Sequence, residues 1–267
     1  NPNPEAYREN QSFRASTRIS KTLDNGWELV ATPYYRKAEL NFIQHFLPGA
    51  PTEDNQHESI GLQFASYKDI DENTMLSFGL DTEMTDGSLQ QTQRFPTVGA
   101  AAVVAQIPVG KQYDYDVKAT QIAPFAHYQR YWDSGWDISL GLRYERMEYD
   151  YDNRMLDGRT KEDGTACGFG GCRYSRPADR TDSFGNWAPK FALRYQINDT
   201  HNAQLRLNKG YRAPQATELY RLQNTQKVAD LDAVEIDSAE IGMEGAADAW
   251  QYAVTAYYMD KDNEIIT

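Results

Sequence analysis

The chain has 267 residues, with 39 acidic and 27 basic side chains and a formal net charge of −12. That balance excludes nucleic acid as a partner, because binding a phosphate backbone needs clustered Lys and Arg. A mean hydropathy of −0.74 does not exclude a membrane location, since a transmembrane β-barrel alternates lipid-facing with water-facing residues and adds polar loops.

Aromatic residues make up 12% of the chain, with 18 Tyr, 10 Phe and 5 Trp. They suit strands and also rings at a membrane–water boundary. The opening residues show no basic segment followed by an apolar core, a leader that an exported protein would have lost by processing.

Alternating apolar and polar residues then recur along the chain, which is the signature of half-buried strands. Phe13, Ala15, Thr17 and Ile19 lead into a tight turn at Asp24-Asn25-Gly26, followed by Trp27, Leu29 and Ala31. Ile60, Leu62 and Phe64 precede a turn at Asp71-Glu72-Asn73, and Leu76, Phe78 and Leu80 follow it. Ile122, Ala126 and Tyr128 lead to Asp133-Ser134-Gly135, after which Trp136, Ile138, Leu140, Leu142 and Tyr144 alternate with Asp137, Ser139, Gly141, Arg143 and Glu145.

The same alternation runs through 187–197, a turn at Asn198-Asp199-Thr200, and 203–210. It continues through 238–244, a turn at Ala247-Asp248-Ala249, and 250–258. Between these hairpins the spacing predicts long connections near 41–57, 85–118, 150–184 and 212–237. The longest nearly apolar run, 98–109, is interrupted by Gln106 and Pro108 and is too short for a membrane helix.

Arg, Glu and Gln stand at mid-strand in one strand after another, where a soluble sheet's wet face or a water-filled lumen would hold them. Strands of about ten residues, ends marked by Trp27, Trp132, Trp136, Trp187 and Trp250, and no helical period favour the lumen. The fold class is therefore all-β, an antiparallel transmembrane β-barrel segment of about ten strands, with short turns on the periplasmic rim and long loops outside the cell. Outer-membrane lipid is the surrounding partner. Tyr113-Asp114-Tyr115-Asp116 and Tyr149-Asp150-Tyr151-Asp152 read as stretches of those outer loops.

The only cysteines, Cys167 and Cys172, lie in one Gly-rich loop. Four intervening residues allow a disulfide ring, which suits an extracytoplasmic compartment. Free thiols and a metal site are the alternatives, the latter short of ligands because no His is near. The histidines are His45, His57, His127 and His201. His45 and His57 share one predicted loop with Glu53, Asp54 and Glu58, at a spacing that matches no metal-ligand pattern. No metal and no cofactor are expected.

Residues 186–223 carry Asn186, Ala188, Pro189 and Lys190 on one strand, then Gly210, Tyr211, Arg212, Pro214, Glu218 and Leu219. This pattern resembles the TonB-dependent outer-membrane receptor family. The stretch 234–266, with an x-Glu-x-Gly strand and an ending Tyr-x-x-Asp-x-x-Asn-x-Ile, resembles it too. Pro214 would turn the chain off its strand into a loop, and Arg212 with Glu218 would form an ion pair at the loop base.

The resemblance implies a 22-stranded receptor barrel closed by an N-terminal plug. No plug-like segment or TonB-contacting box is recognised in 1–267, which reads as an internal part of one barrel domain. It also implies uptake of a scarce nutrient, with a ferric siderophore first in order, energised by the TonB complex through the plug. No catalytic group is expected. Loop and rim residues to bind the nutrient would be Tyr113, Tyr115, Tyr149, Tyr151, Arg173, Tyr174, Tyr211 and Arg212. The alternatives are a complete ten-stranded outer-membrane protease or lipase and a passive porin.

Overall fold

Asp24-Asn25-Gly26 and Asp133-Ser134-Gly135 fold into the same three-residue turn. In each, the glycine adopts a left-handed conformation (φ 82° at Gly26 and 85° at Gly135), and its N–H donates to the carbonyl three residues earlier. A glycine at this point lets a short hairpin close without strain. All the turns expected from sequence join consecutive strands on one rim.

The computed structural model describes residues 5–44, 49–223, 226 and 231–265. Its elements are β1 (Arg8–Ser16), β2 (Ile19–Thr22), β3 (Glu28–Ile43), β4 (Thr52–Asp71), β5 (Thr74–Gln93), α1 (Ala101–Gln106), β6 (Gly110–Tyr131), β7 (Trp136–Asn153) and β8 (Tyr174–Ser175). They continue with β9 (Arg180–Asn198), β10 (His201–Arg212), α2 (Ala216–Tyr220), β11 (Leu222–Gln223), β12 (Val234–Ala247) and β13 (Trp250–Asp262).

The main sheet is an antiparallel meander in the order β1-β3-β4-β5-β6-β7-β9-β10-β12-β13, with β2 also pairing β3. β1 and β2 pair successive parts of β3 and act as one interrupted strand. β8 and β11 form a separate small pair. The main sheet is open, with β1 and β13 at its edges.

Register separates the two faces. Phe64, Leu80 and Pro124 share one row; Tyr128, Leu140, Phe191 and Leu207 share another. Leu80, Leu140, Leu142, Leu207 and Ile241 are exposed, as lipid-facing side chains are. The opposite face carries Asp81, Arg143 and Glu145, joined by ion pairs, and His127 bonded to Ser139 at 2.8 Å. On β7 the apolar band begins at Trp136, packed on Tyr195 at 4.4 Å, and ends at Tyr144, packed on Trp187 at 4.7 Å. Eight residues of strand span about 27 Å, or about 20 Å along the membrane normal once tilted.

Three expectations are corrected. β4, β5 and β6 are 20, 20 and 22 residues long, about twice the length anticipated. A bilayer needs only about ten of those residues, and the pairing simply continues above it, as where Asn41, Asp54, Gln90 and Asp114 form one row. The long connections accordingly shrink to 44–51, 94–109, 154–179 and 213–233. Two short helices, α1 and α2, stand where no helical period is apparent. No described helix is long and apolar enough to cross a membrane.

Candidate functional site at the outer mouth

The core lies at the outer end, between the inward face of β5–β7 and the loops folded over it. Tyr113, Tyr115, Tyr149, Tyr151, Tyr174, Leu219 and Tyr220 belong to this cluster. The Tyr-Asp runs are therefore strands, in correction of the loop reading. Alternation sends each tyrosine inward and each aspartate outward. Asp114 bonds Lys111 at 2.7 Å on the outer surface, and Asp116 pairs with Arg154. Tyr113, Tyr115 and Tyr151 are only 2%, 3% and 1% exposed.

α2 is pressed into this cluster. Tyr220 stacks on Tyr151 with ring centroids 4.2 Å apart, and its hydroxyl donates to Asp182 Oδ2 at 2.9 Å. Burial, followed by that carboxylate bond, pushes the Tyr220 phenol above its usual range. The Tyr113 hydroxyl donates to the Leu222 carbonyl oxygen at 2.6 Å, so β6 also grips the chain beyond α2. Arg221 donates to Glu53 at 2.6 Å, and Gln44 donates to the same buried carboxylate.

The loop at 154–179 is held from within by Arg176. Its guanidinium donates to the carbonyl oxygens of Leu156 (2.7 Å), Gln112 (3.0 Å) and Thr160 (2.8 Å) and to Thr160 Oγ1 (2.8 Å). Cys167 and Cys172 form a disulfide. The ring they close touches α1, where the Gln106 side chain donates to the Phe169 carbonyl oxygen at 2.9 Å.

Between these loops and the strands lies a cleft of about 510 Å³, lined partly by Gln91, Gln112, Tyr113, Arg173, Tyr174 and Arg221. The register slips between Gln91 and Thr92. This bulge leaves Gln112 as an extra residue, and its Oε1 accepts from Gln91 Nε2 at 2.7 Å. The cleft is suited to holding a polar small molecule by hydrogen bonds. A second groove, of about 660 Å³, runs along Leu140, Leu142, Phe191 and Leu207; those side chains face lipid.

Of the residues singled out from sequence, Tyr113, Arg173, Tyr174 and Glu218 line the cleft. Tyr115, Tyr149 and Tyr151 lie beneath it as packing. Tyr211 is half-buried on β10, on the inward face near Arg143 and Glu145, with its phenol outside the lining. Arg212 ends β10 and pairs with Glu218, as anticipated. Asn186 is buried. The β9–β10 ladder ends at Lys190, next to Pro189, which has no N–H to donate. Pro214 and Leu219 are buried at the base of α2, while a side chain added at Gly210 would meet almost nothing.

The possible His cluster does not form. His57 lies on β4 with Glu53 inward, while Asp54 and Glu58 alternate to the outer face; His45 lies outside the described residues. Among the described residues no group of His, Cys, Asp or Glu could hold a metal ion. Sequence reasoning missed Gln91, Gln112, Arg176 and Arg221, and placed Glu53 in a loop beside His45 and His57, where the structure pairs it with Arg221. No local pattern distinguishes Gln91 from its neighbours Gln90 and Thr92.

An outward apolar belt between aromatic rims, an inward polar face and long hairpins at one end define the wall of an outer-membrane β-barrel. The chain belongs to the TonB-dependent receptor-like β-barrel family, whose model matches residues 1–267. It lies in the outer membrane of Gram-negative bacteria. Solved structures share the fold. The copper transporter OprC aligns with a TM-score of 0.70 and 14% identity over 92% of this chain and 38% of its own. FyuA, the ferric yersiniabactin uptake receptor of Yersinia pestis, gives 0.68 and 11% over 97% and 37%. The ferric citrate transporter FecA gives 0.67 and 12% over 97% and 35%. The chain thus spans between a third and two fifths of their length. A comparison with functionally curated proteins finds no match.

Proposed function

We propose that this chain is a wall segment of a receptor that captures a scarce nutrient outside the cell and passes it inward, with a ferric siderophore as cargo. Family membership supports the transport class, and the observation that carries the reading is the polar cleft at the outer mouth. The unpaired edges of β1 and β13 support further strands, because open edges are not tolerated in hydrocarbon. Tyr113, Arg173 and Tyr174 are the cargo contacts, while Tyr115, Tyr149, Tyr151, Tyr211 and Arg212 act by holding the wall and α2 in place. TonB supplies the energy through a plug, and no bond of the cargo is broken.

Strains lacking the gene should lose growth on one ferric chelate supplied as the sole iron source, and regain it with the gene restored. Unchanged growth on every iron and vitamin source would remove the siderophore reading. A parent gene encoding no plug with a TonB-contacting segment would remove TonB-energised uptake.

A further inference from the structure

The charge state of the cargo can be inferred from the cleft, on the reading that the cleft is where cargo binds. Six glutamines line it: Gln44, Gln91, Gln112, Gln215, Gln223 and Gln226. Its ionic groups are largely satisfied internally. Glu218 is paired by Arg212, and Arg221 by Glu53. Among the described residues, Arg173 alone brings the lining a cation with no carboxylate partner.

One lining group is incomplete. Gln91 is 4% exposed, its Nε2 is used by Gln112, and its Oε1 has no hydrogen-bond partner. Buried amide oxygens are seldom left without a donor. Gln91 lines the cleft, so this oxygen lies just beneath its wall, where an N–H or O–H that enters as the side chain turns outward would complete it. Amide side chains offer both donors and acceptors to hydroxyl, amide and hydroxamate groups. Removing water from a multiply charged anion instead demands several opposing charges, and among the described residues the lining offers one unpaired arginine.

We propose that the cleft selects an electroneutral cargo carrying hydrogen-bond donors over a polyanionic one, with Gln91 as a specificity-determining contact. The test titrates the complete, detergent-purified receptor with two probes of similar size. One is a neutral ferric trihydroxamate on a cyclic peptide, and the other a trianionic ferric tris-catecholate. The neutral chelate should bind at least about tenfold more tightly, and Gln91→Leu should weaken it about tenfold by removing the acceptor. Gln90→Leu, one residue away on the outward face of β5, should change it by less than about twofold. Unaltered heat-dependent mobility of each variant on gels shows that the barrel is intact.

Equal or tighter binding of the catecholate overturns the charge assignment and leaves the transport reading standing. Neutral-chelate binding indifferent to Gln91→Leu overturns the role of the cleft. Binding of neither probe overturns the inference, while growth on single iron sources decides the transport reading independently.

Discussion

Arg212, the last residue of β10, forms two bonds to the Glu218 carboxylate of α2, at 2.8 and 3.1 Å. The same carboxylate accepts from the Gln215 backbone N–H at 2.7 Å, capping the first turn of α2. One side chain therefore ties a strand end to a helix and completes that helix. Because α2 delivers Tyr220 and Arg221 to the tyrosine cluster and the cleft, the pair acts as a latch on the mouth.

Glu218→Ala removes both the ion pair and the cap, whereas Arg212→Ala removes only the pair. Each lost contact should cost about 1 kcal/mol of loop docking, so the Glu218 variant should be the looser of the two. Hydrogen exchange of residues 213–223 measures this. Equal protection in the two variants would assign the cap no role.

The latch should also respond to acid. Burial would raise the Glu218 carboxyl, but the Arg212 guanidinium and the Gln215 N–H outweigh it and hold the group below its ordinary value of 4.5. A carboxyl depressed in the folded state contributes stability that is complete above the unfolded value and lost as pH falls through the lower folded value. A fluorophore on Thr217→Cys should stay immobile down to pH 4.5 and gain mobility below it. Glu218→Gln should be mobile at every pH, and parallel curves for the two proteins would exclude Glu218 as the titrating group.

How much of this was legible in sequence depends on whether the signal is local. Turns such as Asp133-Ser134-Gly135 depend on one glycine's backbone freedom and can be read directly. The Arg212–Glu218 pair, six residues apart, could be anticipated as well. The Tyr-Asp runs misled because a strand projecting above the bilayer is polar on its outer face and looks like loop. That their tyrosines are buried depends on α2, folded back from about 70 residues beyond the second run and about 105 beyond the first. Glu53 and Arg221 are separated by 168 positions, and only the closed mouth brings them together.

Arg176 is the second point at which a single change should loosen the mouth. Its guanidinium makes four of the bonds that hold the 154–179 loop to itself and to β6. Arg176→Ala should cost about 3 kcal/mol locally by stranding those acceptors. Loss of the Cys167–Cys172 ring should cost about 2 kcal/mol. Limited proteolysis should cut the loop in both variants, faster in Arg176→Ala, while the barrel remains intact. Cleavage spreading into the strands would show that the loop also supports the wall.

The lipid-facing assignment is tested at Leu140. It sits midway between Trp136 and Tyr144 on the outward row of β7, 41% exposed, with Tyr128 and Phe191 as its cross-strand neighbours. Leu140→Arg places a charge near the middle of the apolar band, where the cost is about 2–4 kcal/mol. Asn208→Arg, on the inward row beside Lys190, puts the same charge into water and should be nearly neutral. Equilibrium refolding of the complete receptor into lipid vesicles separates the two. Comparable losses in both variants would mean that the apolar face of the sheet does not meet lipid.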